Sequence, residues 1–158
     1  MFIKPDYNLK NIYEINLEEL EQIGIKGVLF DLDSTLMASK SGVYSEKTKE
    51  FLKKVQEKFF MAVVSNNHNE KYINKVSKIS NFPLLFKACK PKTEPVIEFL
   101  KQHNISPKDC IIVGDRPLTD ILCGKKLGCK TILVDSITAE TEPKIVRFVR
   151  KLERLSIK

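Results

Sequence analysis

Five short apolar runs, none of them containing a charged residue, recur along the chain and alternate with longer stretches of helical spacing. The runs cover residues 28–30, 61–64, 84–86, 110–113 and 131–134. Strands without polar alternation are typical of parallel sheets, because helices bury both faces of such a sheet. The pattern therefore predicts an α/β fold, a Rossmann-like doubly wound sheet of about five parallel strands.

The stretches between the runs have apolar residues at helical spacing and carry capping residues. Helices are predicted over residues 17–23, 45–58, 69–79, 93–103, 118–127 and 141–156. Asn16, Ser45 and Thr93 are the predicted N-caps, and the residues before position 16 form an irregular leader. We expect one domain over residues 1–158, with a leader and helix at 1–26, a core at 27–135 and an amphipathic C-terminal helix at 141–156.

Composition excludes several classes of protein. The apolar runs are far shorter than the ~20 residues needed to cross a bilayer, and the first ten residues lack the pattern of a signal or transit peptide. The chain is therefore expected to be cytoplasmic. Its four cysteines include no C-x-x-C pair, so we interpret them as reduced and structural. The net charge of +7 favours anionic partners such as phosphate esters, acidic lipid or nucleic acid, although scattered lysines are also typical of a solvated surface.

Polar side chains follow four of the runs, at the sheet edge where doubly wound folds bind ligands. They are Asp31 and Asp33 after the first run, Ser65 after the second, Lys90 after the third, and Asp115 and Asp120 after the fourth. Clustered carboxylates favour Mg²⁺, and a lysine with a hydroxyl suits a phosphoryl group. Each residue alone fits a strand end, a turn or a surface position; their order after four separate runs favours a phosphate site.

The segments GIKGVLFDLDSTL, SNN, A-x-KP and GDxxxTD carry a family resemblance over about residues 5–135. In these segments the chain resembles the haloacid dehalogenase-like (HAD) phosphatases of subfamily IIIA, and among them the YqeG/phosphatidylglycerophosphatase type. Ser34 and Arg116 depart from that type, which more often has Asn or Gly, and Gln, at these positions. The gaps between the motifs are too short for an inserted cap domain, so we expect an open active face.

The resemblance implies a role for each motif residue. Asp31 would be the nucleophile that forms an aspartyl-phosphate, Asp33 the general acid-base, and Lys90 the cation that holds nucleophile and phosphate together. The implied substrate-binding residues are Thr35, which fixes the loop after the nucleophile, Ser65, Asn66 through its backbone amide, and Arg116. The implied Mg²⁺ ligands are the Asp31 carboxylate, the Asp33 carbonyl, Asp115 and Asp120, the last through water or by orienting Lys90.

An open active face favours a large substrate, because no cap can close over a small one. The expected substrate is phosphatidylglycerophosphate (PGP) or a similar anionic lipid phosphate, and the alternatives are a phosphoprotein or a nucleic-acid end. No nucleic acid is expected as a partner. The basic helix at 141–156 either contacts an anionic membrane peripherally or packs on the sheet. Two hypotheses from other functional classes are a phospho-acceptor domain and a catalytically silent binding module.

Overall fold

A computed structural model of the chain describes residues 3–137 and residue 152. Its strands are β1 (Tyr7–Leu9), β2 (Gly27–Phe30), β3 (Phe60–Val64), β4 (Leu84–Leu85), β5 (Cys110–Gly114) and β6 (Lys130–Val134). Its helices are α1 (Leu17–Gln22), α2 (Glu46–Lys58), α3 (Glu70–Ile79), α4 (Glu94–Gln102) and α5 (Leu122–Leu127). The strands form one parallel sheet in the order β1-β6-β5-β2-β3-β4. The predicted α/β class is confirmed; the predicted helix at 141–156 lies outside the described residues.

Successive residues of each central strand pack into two different layers, as a sheet buried on both faces requires. Val28 and Phe30 of β2 pack in one cluster with Leu52 of α2 and Val76 of α3. Leu29, between them in sequence, packs in a second cluster with residues of α4 and α5. Helices therefore cover both faces, and the doubly wound arrangement is confirmed.

The expectation of an irregular leader is wrong at β1. This three-residue strand pairs in parallel with β6, and the Asp6 carboxylate beside it accepts hydrogen bonds from the Thr131 amide and hydroxyl at 2.8 and 3.1 Å. The contact joins residues 125 positions apart. The sequence of β1 contains no apolar run that would predict a strand. Its conformation depends on pairing with the distant strand β6.

The predicted N-caps Asn16, Ser45 and Thr93 precede their helices in the structure, and one predicted helix start differs. Asn16 and Ser45 accept backbone hydrogen bonds as N-caps, but Thr93 makes no such side-chain bond. The helix predicted from residue 118 begins as a π-helical turn, Pro117–Ile121, before α5. Wide turns of this kind are frequent at functional sites.

The connections after β2 and β3 cover only residues 31–45 and 65–69, so no domain is inserted there among the described residues. All four cysteines are free, and Cys110, Cys123 and Cys129 are buried in the core. Burial raises the pKa of the Cys110 thiol to about 12, consistent with a structural role. Within the described part of the chain, no helix is long and apolar enough to cross a membrane.

Candidate active site

From β2 the chain runs outward to β3 and β4 on one side and then returns to β5 and β6 on the other side. This reversal of strand order leaves a crevice beyond the carboxyl end of β2. The Asp31 amide donates to the Val113 carbonyl at 2.9 Å, which fixes the first motif residue at this edge. A cavity of about 220 Å³ opens there. Its lining includes Asp31, Asp33, Ser65, Asn66, Lys90, Asp115, Arg116 and Asp120. The structure therefore brings together every predicted site residue except Thr35, which lies behind the cavity.

Lys90 bridges two of the carboxylates from a position in which its side chain is only 2% exposed. Its ammonium donates to Asp31 Oδ1 at 3.0 Å, to Asp120 Oδ1 at 2.6 Å and to the Val64 carbonyl at 2.6 Å. All three of its donor positions are used within the fold. The lysine that the sequence alone could place on the surface is thus a buried part of the site.

Charge and burial oppose each other at this bridge. Burial alone would lower the pKa of the Lys90 ammonium, but the carboxylates of Asp120 and Asp31 outweigh it and hold the pKa above its ordinary value. Burial raises the pKa of the Asp120 carboxyl to about 6; the Asp31 carboxylate adds to the rise and Lys90 opposes it. At neutral pH the lysine is charged, and its positive charge offsets the repulsion between the two adjacent carboxylates.

Asp120 reaches this position because the neighbouring residue, Gly114, has no side chain. The π-helical turn places its side chain against Gly114, where a Cβ would overlap the carboxylate. The Arg116 amide donates to Asp120 Oδ2 at 3.2 Å. Asp120 therefore has one oxygen on Lys90 and the other on the backbone, the geometry predicted for a residue that orients the lysine.

Asp115 and Thr35 are joined across 80 residues of sequence. The buried Thr35 hydroxyl donates to Asp115 Oδ1 at 3.1 Å. The loop that carries Thr35 turns at Ser34, which is fully buried with φ of 68°, a left-handed conformation that Gly and Asn adopt more readily. Thr35 thus orients a candidate metal ligand, a more specific contact than the loop-fixing role implied by the resemblance.

Two further residues hold Asp33, and the sequence analysis identified neither of them. Asp33 Oδ1 accepts the Lys40 amide at 2.8 Å and the Tyr72 hydroxyl at 2.5 Å. Burial and the hydrogen bond to Asp33 raise the pKa of the Tyr72 phenol well above its usual range, so the hydroxyl remains a donor. Tyr72 lies on α3, to which the sequence analysis assigned no functional residue.

Both polar atoms of the Asn66 side chain bind the backbone of Lys90. Its amide donates to the Lys90 carbonyl at 2.9 Å, and its oxygen accepts the Lys90 N–H at 2.8 Å. Ser65 is buried, and its hydroxyl accepts the Asn67 N–H at 3.1 Å. Phosphate binding by Ser65, by the Asn66 amide and by Arg116 stays a prediction, although all three residues line the cavity.

Asp31, Asp115 and Asp120 form a group that could hold a metal ion, with one carboxylate oxygen from each lying within 4.8 Å of the others. The cavity is lined by four carboxylates and by two cationic side chains, Lys90 and Arg116, so negative charge is in excess. An all-oxygen donor set of this kind suits a hard divalent cation. The residues present therefore fit a magnesium site.

Comparisons with known proteins agree with this arrangement. A family model described as mitochondrial PGP phosphatase matches residues 1–138. The chain is 31% identical to the probable phosphatase YqeG of Bacillus subtilis (strain 168), over 97% of this chain and 88% of that protein. It is 30% identical to phosphatidylglycerophosphate phosphatase 1, chloroplastic/mitochondrial, of Arabidopsis thaliana, over 99% of this chain and 48% of the plant protein.

A solved structure with the same fold is a HAD family enzyme from Bacteroides thetaiotaomicron, determined as the wild-type protein with magnesium and inorganic phosphate. It has a TM-score of 0.57 and 16% sequence identity, and the match covers 79% of this chain and 100% of that one. The sheet described above is therefore a HAD-like fold.

Proposed function

Since the chain belongs to the mitochondrial PGP phosphatase family and is a phosphatase of the HAD type, we propose that it hydrolyses PGP or a similar anionic lipid phosphate through an aspartyl-phosphate on Asp31. The observation that carries the proposed chemistry is the buried ammonium of Lys90, 3.0 Å from Asp31 Oδ1, at the edge of β2. The lipid substrate is supported by the plant relative, which is named as a phosphatidylglycerophosphate phosphatase.

In the first step an oxygen of Asp31 attacks phosphorus, and the ester P–O bond breaks. Asp31 Oδ1 is held by Lys90, whereas Oδ2 accepts no hydrogen bond from the described residues, so Oδ2 is the available nucleophile. Lys90 stays beside the incoming phosphoryl group and offsets its charge. Asp33 gives its proton to the leaving alkoxide, and the alcohol departs.

In the second step Asp33, now a carboxylate, takes a proton from water. The hydroxide so formed attacks phosphorus, the Asp31–phosphate bond breaks, and inorganic phosphate leaves with the Asp31 carboxylate restored. The Ser65 hydroxyl and the Asn66 backbone N–H would bind phosphoryl oxygens, and both residues line the cavity. Mg²⁺ held by Asp31, Asp115, Asp120 and the Asp33 carbonyl would neutralise charge on the phosphoryl group and the nucleophile.

A substrate panel tests the proposed function. With Mg²⁺ present, kcat/KM for PGP in mixed micelles is expected to exceed that for an aryl phosphate, a phosphopeptide and a 3′-phosphorylated oligonucleotide, and chelation should remove all turnover. Lipid turnover no better than aryl phosphate turnover would refute the lipid substrate. Preference for the peptide or the oligonucleotide would support those alternatives, and a silent wild type would favour a binding module.

Tyr72→Phe is expected to reduce kcat/KM for an alkyl phosphate about 5- to 20-fold, because the variant loses the hydrogen bond that orients Asp33. An aryl phosphate with a good leaving group needs less protonation, so its kcat/KM should fall less. Measuring both esters separates positioning of the acid from general damage. Equal losses for the two esters would contradict the role, and Tyr44→Phe, on a tyrosine bound to Ser80, is the control.

Contact with a membrane remains a prediction. It depends on the basic segment at 141–156, and the proposed enzyme would act from the cytoplasm on lipid in an anionic surface.

A further inference from the structure

A second cavity adjoins the catalytic one and is larger, about 580 Å³ against about 220 Å³. Its described lining is Lys40, Asn66, Asn67, His68, Asn69, Lys71, Tyr72 and Lys75. Asn66 and Asn67 line both cavities, so the two spaces share a wall. The mechanism given above uses none of the lysines in this cavity.

The described wall of this cavity is positively charged. Its described lining includes three lysines and no acidic residue. Within residues 3–137, Lys40, Lys71 and Lys75 form no ion pair, and Lys75 donates to the Ser41 carbonyl at 3.2 Å. The nearest acid along α3, Glu70, is bound to Lys87 at 2.6 Å instead. Such a space favours an anion.

The cavity lies on the side of the site where the leaving group must be. The two groups that hold Asp33, the Tyr72 hydroxyl and the Lys40 amide, belong to residues that line it. An acid that protonates a leaving oxygen must lie within hydrogen-bonding distance of it. The alcohol released by Asp33 therefore has this lysine-lined space beside it.

We infer that the lysine-lined cavity is a leaving-group subsite that binds a second anionic group, a phosphodiester or phosphate, on the alcohol being released. This inference rests on the proposed function, because it takes Asp33 as the general acid. It makes the preferred substrates phosphomonoesters whose alcohol carries another phosphate. A lipid head group and its soluble, deacylated form share that chemistry.

The test compares two esters of glycerol: glycerol 3-phosphate, and the deacylated PGP head group, in which the alcohol carries a phosphodiester. The wild type is expected to prefer the head group, and Lys71→Gln/Lys75→Gln should reduce the ratio of the two kcat/KM values about tenfold or more. The control is Lys53→Gln/Lys78→Gln. It removes the same charge from lysines that line a different cavity, one of them on the same helix.

An unchanged ratio in the Lys71/Lys75 variant, or an equal loss in the Lys53/Lys78 control, would overturn the subsite. PGP in vesicles of neutral lipid separates the sources of the anion. If vesicle turnover falls while head-group turnover does not, the lysines act on the lipid surface, and the subsite is overturned.

A binding measurement keeps this inference distinct from the proposed function. Calorimetry on Asp31→Asn with Mg²⁺ should give tighter binding of the head group than of glycerol 3-phosphate, and the lysine variant should lose the difference. If that difference is present while the wild type hydrolyses neither ester, the proposed function fails, and the cavity stands as an anion-binding site but not as a leaving-group subsite. If both esters are hydrolysed and bound equally well, the subsite fails and the phosphatase chemistry stands.

Discussion

Replacing Asp31 by Asn is expected to reduce kcat for an aryl phosphate about a thousandfold or more, because an amide cannot form the acyl phosphate on which both steps depend. The substitution keeps the size of the side chain, and its oxygen can still accept the Lys90 hydrogen bond. Steady-state hydrolysis with and without chelator measures the loss. Acid-quenched protein incubated with labelled phosphoester should retain label in the wild type and none in the variant.

Asp109→Asn is a matched control, because Asp109 is an acid of the same kind that pairs with Lys26 outside both cavities. It should retain wild-type kcat. Wild-type turnover in Asp31→Asn would mean a contaminating phosphatase or a different nucleophile. Label that persists for many minutes in the wild type, without release of phosphate, would instead indicate a phospho-acceptor domain.

The core of the fold could be predicted because its strands carry their own signal. A run buried on both faces must be apolar throughout, so β2, β3 and β5 stand out in the sequence without any knowledge of their partners. The edge strand β1 has no such requirement. Asn8 in its centre is exposed, and its place depends on pairing with β6, which no local pattern contains.

The site residues that directly follow a strand could be predicted from the sequence. Asp31, Ser65, Lys90 and Asp115 each follow a recognisable run, and the predicted family membership is confirmed. The residues that hold them in place could not be found in this way. Tyr72 projects from a helix whose position relative to Asp33 is set by packing, so its contact has no counterpart in sequence spacing.

The same limit applies to the state of Lys90. Sequence order placed a lysine after the third run, but only the fold determines that its ammonium is buried between Asp31 and Asp120. A buried bridge of this kind stabilises the fold only while both sides are charged, since removing one partner leaves an uncompensated charge in a low dielectric. The consequence can be measured as a pH-dependent loss of stability.

Lys90→Met is expected to lower the free energy of unfolding by about 3–5 kcal/mol at pH 8 without metal, and by less at pH 5. The pKa of Asp120 is already raised in the folded protein, so the folded state binds more protons than the unfolded state between about pH 4 and 6. Ionisation of this carboxyl therefore lowers the free energy of unfolding as the pH rises through that interval. Removing Lys90, which opposes that rise, extends the cost to higher pH. At pH 5 a protonated carboxyl relieves the repulsion from Asp31.

Urea unfolding of wild type and variant at both pH values, with chelator present, measures the effect. The difference in the free energy of unfolding between wild type and variant should be larger at pH 8 than at pH 5 by about 1 kcal/mol or more. This amount corresponds to a change of about one unit in the pKa of Asp120. A loss of the same size at both pH values would mean that packing, not charge, is what Lys90 supplies. Lys92→Met, an exposed lysine two residues away, should leave stability nearly unchanged at either pH. A variant that folds at pH 5 but not at pH 8 would give the same answer in its strongest form, because the raised pKa of the Asp120 carboxyl beside Lys90 falls in that interval.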